Sequence, residues 1–247
     1  MSGHSKWSTI KHKKAATDKK RADVFAKIAK SITVAARHGG GDPEMNIVLR
    51  GEIEKAKSVN MPKQKIEQAI LRGTGDSKEE NTLEELLIEA YGPGNVAMLI
   101  EAVTDNRNRT TSELRHAVSQ YEGKMAGEGS VKWMFSHFGF IEIKAESIRN
   151  KEDFEYFSIE NNAEDIIWYE DSVVVYTNVN ALHDTLKSFQ DAGYTEKDAG
   201  LEWVAKNRIN IEEKDLKKLN GLFETLSEHE DVQEVYSNLK LDSLLAD

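Results

Sequence analysis

Two stretches of this chain carry side chains whose types and spacing suit binding chemistry. The first is residues 1–21, where Lys6, Lys11, Lys13, Lys14, Lys19, Lys20 and Arg21 face a single acid, Asp18, with His4 and Trp7 among them. Lysines at this density dock on phosphates as point charges, and an indole set among them can stack on a base or sugar. A solvated lysine-rich terminus would account for the charge but gives Trp7 nothing to do. The second stretch is Asp105-Asn106-Arg107-Asn108-Arg109-Thr110. It lies between a strand pattern and a helix pattern, where first-turn amides with Arg107 and Arg109 are placed to hold a phosphate or an RNA backbone. The alternative is a capped turn, with Asn108 or Thr110 as the cap and both arginines paired to nearby acids. His4, Lys6, Trp7, Lys11, Lys13, Lys14, Lys19, Lys20, Arg21, Arg107 and Arg109 are the candidate nucleic-acid-binding residues.

Catalytic chemistry finds no anchor. Gly92-Pro93-Gly94-Asn95-Val96-Ala97 fits a dinucleotide-binding pattern on paper. That pattern needs a helix after the glycines, whereas an apolar strand follows here and Pro93 favours a turn. No Walker lysine, G-x-S-x-G or His-Glu-x-x-His occurs. The seven histidines are not at ligand spacing, and the acids sit mainly in helical and turn patterns. With no cysteine, thiolate sites and disulfides are excluded. Neither a catalytic residue nor a cofactor or metal is expected, and the chain reads as a non-enzyme.

The 247 residues allow two or three compact domains, and a net charge of −10 makes the chain acidic overall. The charge is unevenly placed. Residues 1–75 hold 16 Lys/Arg against 7 Asp/Glu, a net of +9, while the rest holds 17 against 36, a net of −19. An acidic chain with its positive charge at one end carries an address for a polyanion there. The step in charge falls at a turn-rich hinge, Gly73 to Lys78. No apolar stretch approaches the ~20 residues needed to span a bilayer, and no apolar signal-peptide core is seen near Met1. A cytoplasmic protein is expected.

Periodicity supplies the elements that position these residues. Phe25, Ile28, Ala29, Ile32, Ala35 and Ala36 recur at helical spacing, and Gly39-Gly40-Gly41 stops that helix. A second helix is expected over 43–58, with Asp42 as its cap and Pro43 in its first turn, and a third from Pro62 to Gly73. The period then changes to two. Strands are read over 86–91 and 96–103, followed by a helix over 110–121, a glycine-rich connector over 123–129, and a strand over 131–135. Residues 139–206 read as strand, helix, strand, strand, helix, strand, the order of a split-βαβ module. A final helix, 212–226, and strand, 232–236, lack local partners and can complete the unit at 84–121. The expected fold is α+β, with an N-terminal three-helix domain followed by two ferredoxin-like α+β domains, the last inserted into the middle one. The expected domains are 1–78, then 79–136 with 207–247, and 137–206 as the insert.

Gly3-His4-Ser5-Lys6-Trp7, Lys13-Lys14, Asp18-x-Lys20-Arg21, Gly39-Gly40-Gly41-Asp42-Pro43, Asn60-Met61-Pro62, Thr104 to Thr110 and Gly129-Ser130-Val131 together resemble the YebC family. The resemblance covers nearly the whole chain. It departs at Ala126, where the family carries glycine, and at Glu122-Gly123, where it carries a glycine pair. The resemblance implies a helical domain followed by two α+β domains. It also implies a transcriptional regulator that binds DNA, while mitochondrial relatives activate translation. The expected function is a nucleic-acid-binding regulator of gene expression. The alternative is a ribosome- or RNA-associated translation factor, whose acidic domains would meet basic ribosomal proteins.

Overall fold

In the computed structural model, residues 18–75 and 83–240 are described. Helix α1 (Asp18–Gly39) turns its apolar stripe inward, and α2 (Ile47–Ser58) and α3 (Lys63–Thr74) both pack on it. Ile32, Ala36, Leu49, Ala56, Met61 and Ala69 make the centre of this small core. α3 approaches α1 closely: a Cβ on Gly73 would stand 2.3 Å from the Thr33 carbonyl oxygen and 2.6 Å from the Ala36 Cβ. Only glycine fits there.

The start of α2 differs from the sequence expectation. Asp42 does not cap it, and residues 43–45 form a turn. Asn46 takes the cap because its side chain satisfies two elements at once. Its Oδ1 accepts from the Leu49 N–H at 3.0 Å, while Nδ2 donates to the carbonyls of Ala35 and Gly40, both at 2.8 Å. The third helix also runs one residue past Gly73 and closes on Gly75, whose φ of 83° suits the left-handed exit. The rest of the expected hinge lies outside the described residues.

β1 (Glu84–Tyr91) and β2 (Ala97–Thr104) form an antiparallel hairpin, followed by α4 (Arg107–Gln120) and β3 (Lys124–Met125). Next come β4 (Phe135–Lys144), α5 (Lys151–Glu160), β5 (Ala163–Trp168), β6 (Ser172–Asn178), α6 (Leu182–Asp191) and β7 (Glu196–Ala205). α7 (Glu213–Glu228) and β8 (Val232–Ser237) follow. The strands make two sheets, ordered β3-β1-β2-β8 and β5-β6-β4-β7, with every pairing antiparallel. The second has the connections of a ferredoxin-like module, its β-α-β-β-α-β segment lying between β3 and α7 of the first. The first has the same layers, two helices on one face of four strands, joined in a different order. The fold is α+β.

Each sheet is covered for a simple reason. α4 and α7 lay Leu114, Val118, Leu219, Leu222 and Leu226 onto Ile88, Met98 and Ile100 of the first sheet. α5 and α6 cover Val173 and Val175 of the second, with Phe154, Phe157, Phe189 and Tyr194 meeting largely edge to face. The uncovered face of the first sheet then meets the second around Leu99, Val131 and Phe135.

Two further expectations are corrected. Residues 131–135 are not a strand: Lys132–Met134 form a 3-10 turn, and the strand starts at Phe135 and runs unbroken to Lys144. Residues 123–129 are not a free connector, since Lys124 and Met125 pair with Tyr91 and Ala90. Backbone approach is close at that point, and a Cβ on Gly123 would meet the Tyr91 carbonyl oxygen at 2.7 Å. The turn at 132–134 is held by Glu89, whose buried carboxylate accepts from the backbone N–H groups of Gly129, Val131 and Lys132. Burial alone would raise its pKa, but the three donors outweigh it and hold the carboxyl below its usual range. Among the described residues no helix is long and apolar enough to cross a membrane.

Candidate nucleic-acid interface

The Asp105–Thr110 stretch resolves into a capped turn built around a buried acid. α4 starts at Arg107, and its cap is Asn106 rather than Asn108 or Thr110, with Oδ1 accepting from the Arg109 N–H at 3.1 Å. The Arg109 guanidinium lies 2.9 Å from Asp231, 3.2 Å from Asp105 and 3.6 Å from Glu230. Thr110 Oγ1 reaches Asp231 at 2.6 Å, and Lys30 of α1 completes the set around this fully buried carboxylate. Burial pushes the Asp231 pKa up, but the hydrogen bonds from Lys30, Thr110 and Arg109 win and hold it down at about 2. The hydrogen bond to Asp231 likewise raises the pKa of Arg109. Arg109 is therefore committed to joining α4 to the turn before β8. Arg107 remains exposed and makes no ion pair among the described residues.

The first helix is fixed to the body along much of its length. Lys27 Nζ donates to the Ser227 carbonyl at 3.1 Å and Ser31 Oγ to Gln233 at 2.7 Å. Arg37 donates to the Leu83 carbonyl at 2.7 Å, and His38 meets Glu85 at 2.7 Å. The cations in the middle and at the end of α1 are thus used internally. Arg21, near its start, is exposed. Lys19 and Lys20 also lie in the first turn, while His4, Lys6, Trp7, Lys11, Lys13 and Lys14 fall outside the described residues.

A cleft of about 870 Å³ opens where the helices and both sheets meet, lined among others by Lys27, Lys55, Glu101, Asp198, Trp203 and Glu234. Glu101 stands out there. Burial, with Glu234 and Glu85 close by, pushes its pKa up to about 7 against the pull of its two hydrogen bonds. Those bonds come from Trp203 Nε1 at 2.9 Å and Tyr236 Oη at 3.3 Å. Such a pKa suits a general acid–base group. Both Glu101 oxygens are nevertheless occupied, one bonded to Trp203 of the second sheet and the other to Tyr236 of the neighbouring strand in its own sheet.

Asp231, Glu89 and Glu101 were invisible as sites in the sequence. Each is one acid among 43, and its partners lie tens to hundreds of residues away. Only burial marks them.

The fold and this contact define an α+β protein in which a basic helical unit is latched onto an acidic two-sheet body. Comparison with known proteins supplies the family. The profile of the TACO1/YebC protein N-terminal domain matches residues 5–76, and that of the TACO1/YebC second and third domain matches residues 83–239. The chain belongs to the TACO1/YebC family. It is 44% identical over 242 residues to a protein of Pseudothermotoga lettingae, covering 98% of this chain and 95% of the other. It is 43% identical to one of Thermotoga maritima, with the same coverage. Both bear the name "Probable transcriptional regulatory protein". The crystal structure of a conserved hypothetical protein from Aquifex aeolicus, 38% identical, superposes with a TM-score of 0.77 over 96% of this chain and 97% of that one.

Proposed function

We propose that this chain is a non-enzymatic, nucleic-acid-binding regulator of gene expression, acting in transcription as the names of its relatives suggest. The observation that carries the reading is the distribution of positive charge. Lys27, Lys30 and Arg37 of the helical unit are engaged by the acidic body, and the densest basic run in the sequence is the one from Lys6 to Arg21. A polyanion would approach from that end, and the body's net of −19 would turn it away elsewhere. Lys6, Lys11, Lys13, Lys14, Lys19, Lys20 and Arg21 serve as phosphate contacts and Trp7 as a stacking group. Neutralising about six to eight phosphates predicts that log affinity falls with log salt at a slope of about −5 to −7 on duplex DNA. Titration at four salt concentrations tests this. A slope near zero, or one unchanged when Lys6, Lys11, Lys13 and Lys14 become Gln, would remove the basis of the reading.

A second reading, association with RNA or the ribosome, is favoured by a specific feature. Both α2 and α3 pack on α1 and spend Leu49, Ile53, Ile66 and Ala69 on that core, whereas sequence-specific duplex readout needs a helix that presents side chains to base edges. Structured RNA needs no such element. Glu101, though perturbed, serves as a structural tie in both readings, so Glu101→Gln should leave nucleic-acid affinity within about twofold.

A further inference from the structure

The acidic body carries an exposed aromatic that its own packing does not explain. Trp133 is 65% exposed, at the surface end of the turn before β4. Its indole N–H is already used, donating to the Ser130 carbonyl at 3.0 Å. Tyr91 Oη donates to the same carbonyl at 3.3 Å. What Trp133 still offers is a ring face. The segment bearing it is held firmly, because Glu89 gathers the N–H groups of Gly129, Val131 and Lys132 from beneath. On the other side Lys206 donates its backbone N–H to the Met134 carbonyl at 2.9 Å and its ammonium to the Trp133 carbonyl at 2.8 Å.

The charge around this ring reverses that of the body. Lys124, Lys132 and Lys206 are exposed, with Lys124 over the Tyr91 ring at 5.4 Å and Lys132 over Trp203 at 5.2 Å. Across residues 124–136 and 203–211 the only acid is Glu128, in a half of the chain where acids outnumber bases two to one. The other exposed aromatic among the described residues shows the contrast. Tyr156, 66% exposed on α5, sits beside Ile159 among Glu152, Asp153, Glu155 and Glu160, a setting that repels phosphate.

We propose that Trp133, flanked by Lys124, Lys132 and Lys206, forms a second nucleic-acid contact that stacks an unpaired base, selecting single-stranded segments over duplex. Base–aromatic stacking is tolerant of sequence, and the lysines around it hold the adjoining phosphates. A base locked in a duplex cannot reach a ring face, so the site is selective by geometry. The proposal rests on the nucleic-acid reading above and adds a place on the body to the one at the tail.

The test uses the full chain with a labelled 12-nucleotide single-stranded RNA and the same sequence as a duplex, read by fluorescence anisotropy. Trp133→Ala is expected to weaken single-strand binding about tenfold while changing duplex binding less than about twofold. Trp133→Phe keeps a ring and should stay within about threefold of the wild type. Lys206→Gln should lower the single-strand salt slope by about 0.7. Tryptophan emission should be quenched by the single strand in the wild type, and less so in Trp133→Phe, a readout that survives if the alanine variant folds poorly. Unchanged single-strand binding by Trp133→Ala, or equal loss on duplex and single strand, overturns the proposal. If tail substitution weakens binding in that case, the tail reading stands alone. If the wild type binds neither RNA, this proposal falls, and the tail reading rests on the duplex DNA titration.

Discussion

The first 75 residues and the remainder of the chain carry opposite net charge, +9 and −19, and the structure shows what each does with it. In the helical unit, Lys30 and Arg50 pair with Asp231 and Glu196 of the body and His38 hydrogen-bonds Glu85, while Lys55, Lys57 and Lys63 pair within their own helices. In the body, acids outnumber bases, and Glu101, whose pKa is raised chiefly by burial, has Glu234 and Glu85 close by. Two carboxylates of the body make the difference concrete. Asp231 receives two cations and a hydroxyl and is held ionised, with a pKa of about 2; Glu101 receives an indole and a phenol beside two further acids and is pushed up to about 7. Burial acts the same way on both. The partners decide the sign.

The largest expected effect comes from removing the better-satisfied acid. Asp231→Asn leaves Lys30 and Arg109 without their shared counter-charge and should lower unfolding stability by about 3 kcal/mol in urea titration near pH 7. The wild-type contribution has a defined pH window. Because the folded pKa lies below the unfolded value near 3.8, the stabilisation of about 2 kcal/mol is present above pH 4 and is lost as pH falls towards 2.

Glu101→Gln should act in the opposite direction. The raised pKa means the folded state keeps a proton that the unfolded chain has released, so this residue's contribution is intact below about pH 4.5 and lost as pH rises to about 7. The glutamine substitution keeps groups able to bond Trp203 and Tyr236. It should raise stability by about 2 kcal/mol at pH 8 and by much less at pH 4.5. Equal effects at the two pH values would mean that Glu101 is ordinarily ionised, and the contrast with Asp231 would dissolve.

Arg50→Gln sharpens the comparison at a half-buried pair. The guanidinium meets both Glu196 oxygens, at 3.0 and 3.2 Å, and its loss should cost about 1 kcal/mol, measured by the same urea titrations. The smallest effect on stability is expected from the tail itself. Changing Lys6, Lys11, Lys13 and Lys14 to Gln should move the thermal midpoint by less than about 2 °C, since solvated surface charges add little.

How much of this was legible in the sequence follows from the range of the interactions involved. The inward face of α1 was readable because Phe25, Ile28, Ile32 and Ala36 repeat within one helix. The strand–helix order of the second sheet was readable because Val173 to Tyr176 and the Leu182–Leu186–Phe189 spacing are local patterns. Caps were less so: Asp42 and Asn46 are both good caps, and the choice fell to Asn46 because Ala35, eleven residues back, offers a carbonyl for its amide. The cap of α4 was expected at Asn108 or Thr110 and falls instead at Asn106, settled by where β2 ends and α4 turns. Val131 to Phe135 has the composition of a strand, but Glu89, about forty residues earlier, draws its amides into a turn. Of the candidate binding residues, Arg109 has its guanidinium in an internal ion-pair network, whereas Arg107 and Arg21 are exposed.

The measurement that bears most directly on the central claim is competition binding at several salt concentrations. The intact chain and the Lys6, Lys11, Lys13, Lys14→Gln variant would each be offered random duplex DNA, a candidate promoter and purified ribosomes. The account predicts binding that depends on those lysines and weakens steeply with salt. Preference for the promoter would place the protein in transcription, and ribosome binding that random DNA cannot displace would place it in translation. Equal binding by the two chains at every salt concentration would contradict the claim that this end of the molecule is its nucleic-acid address.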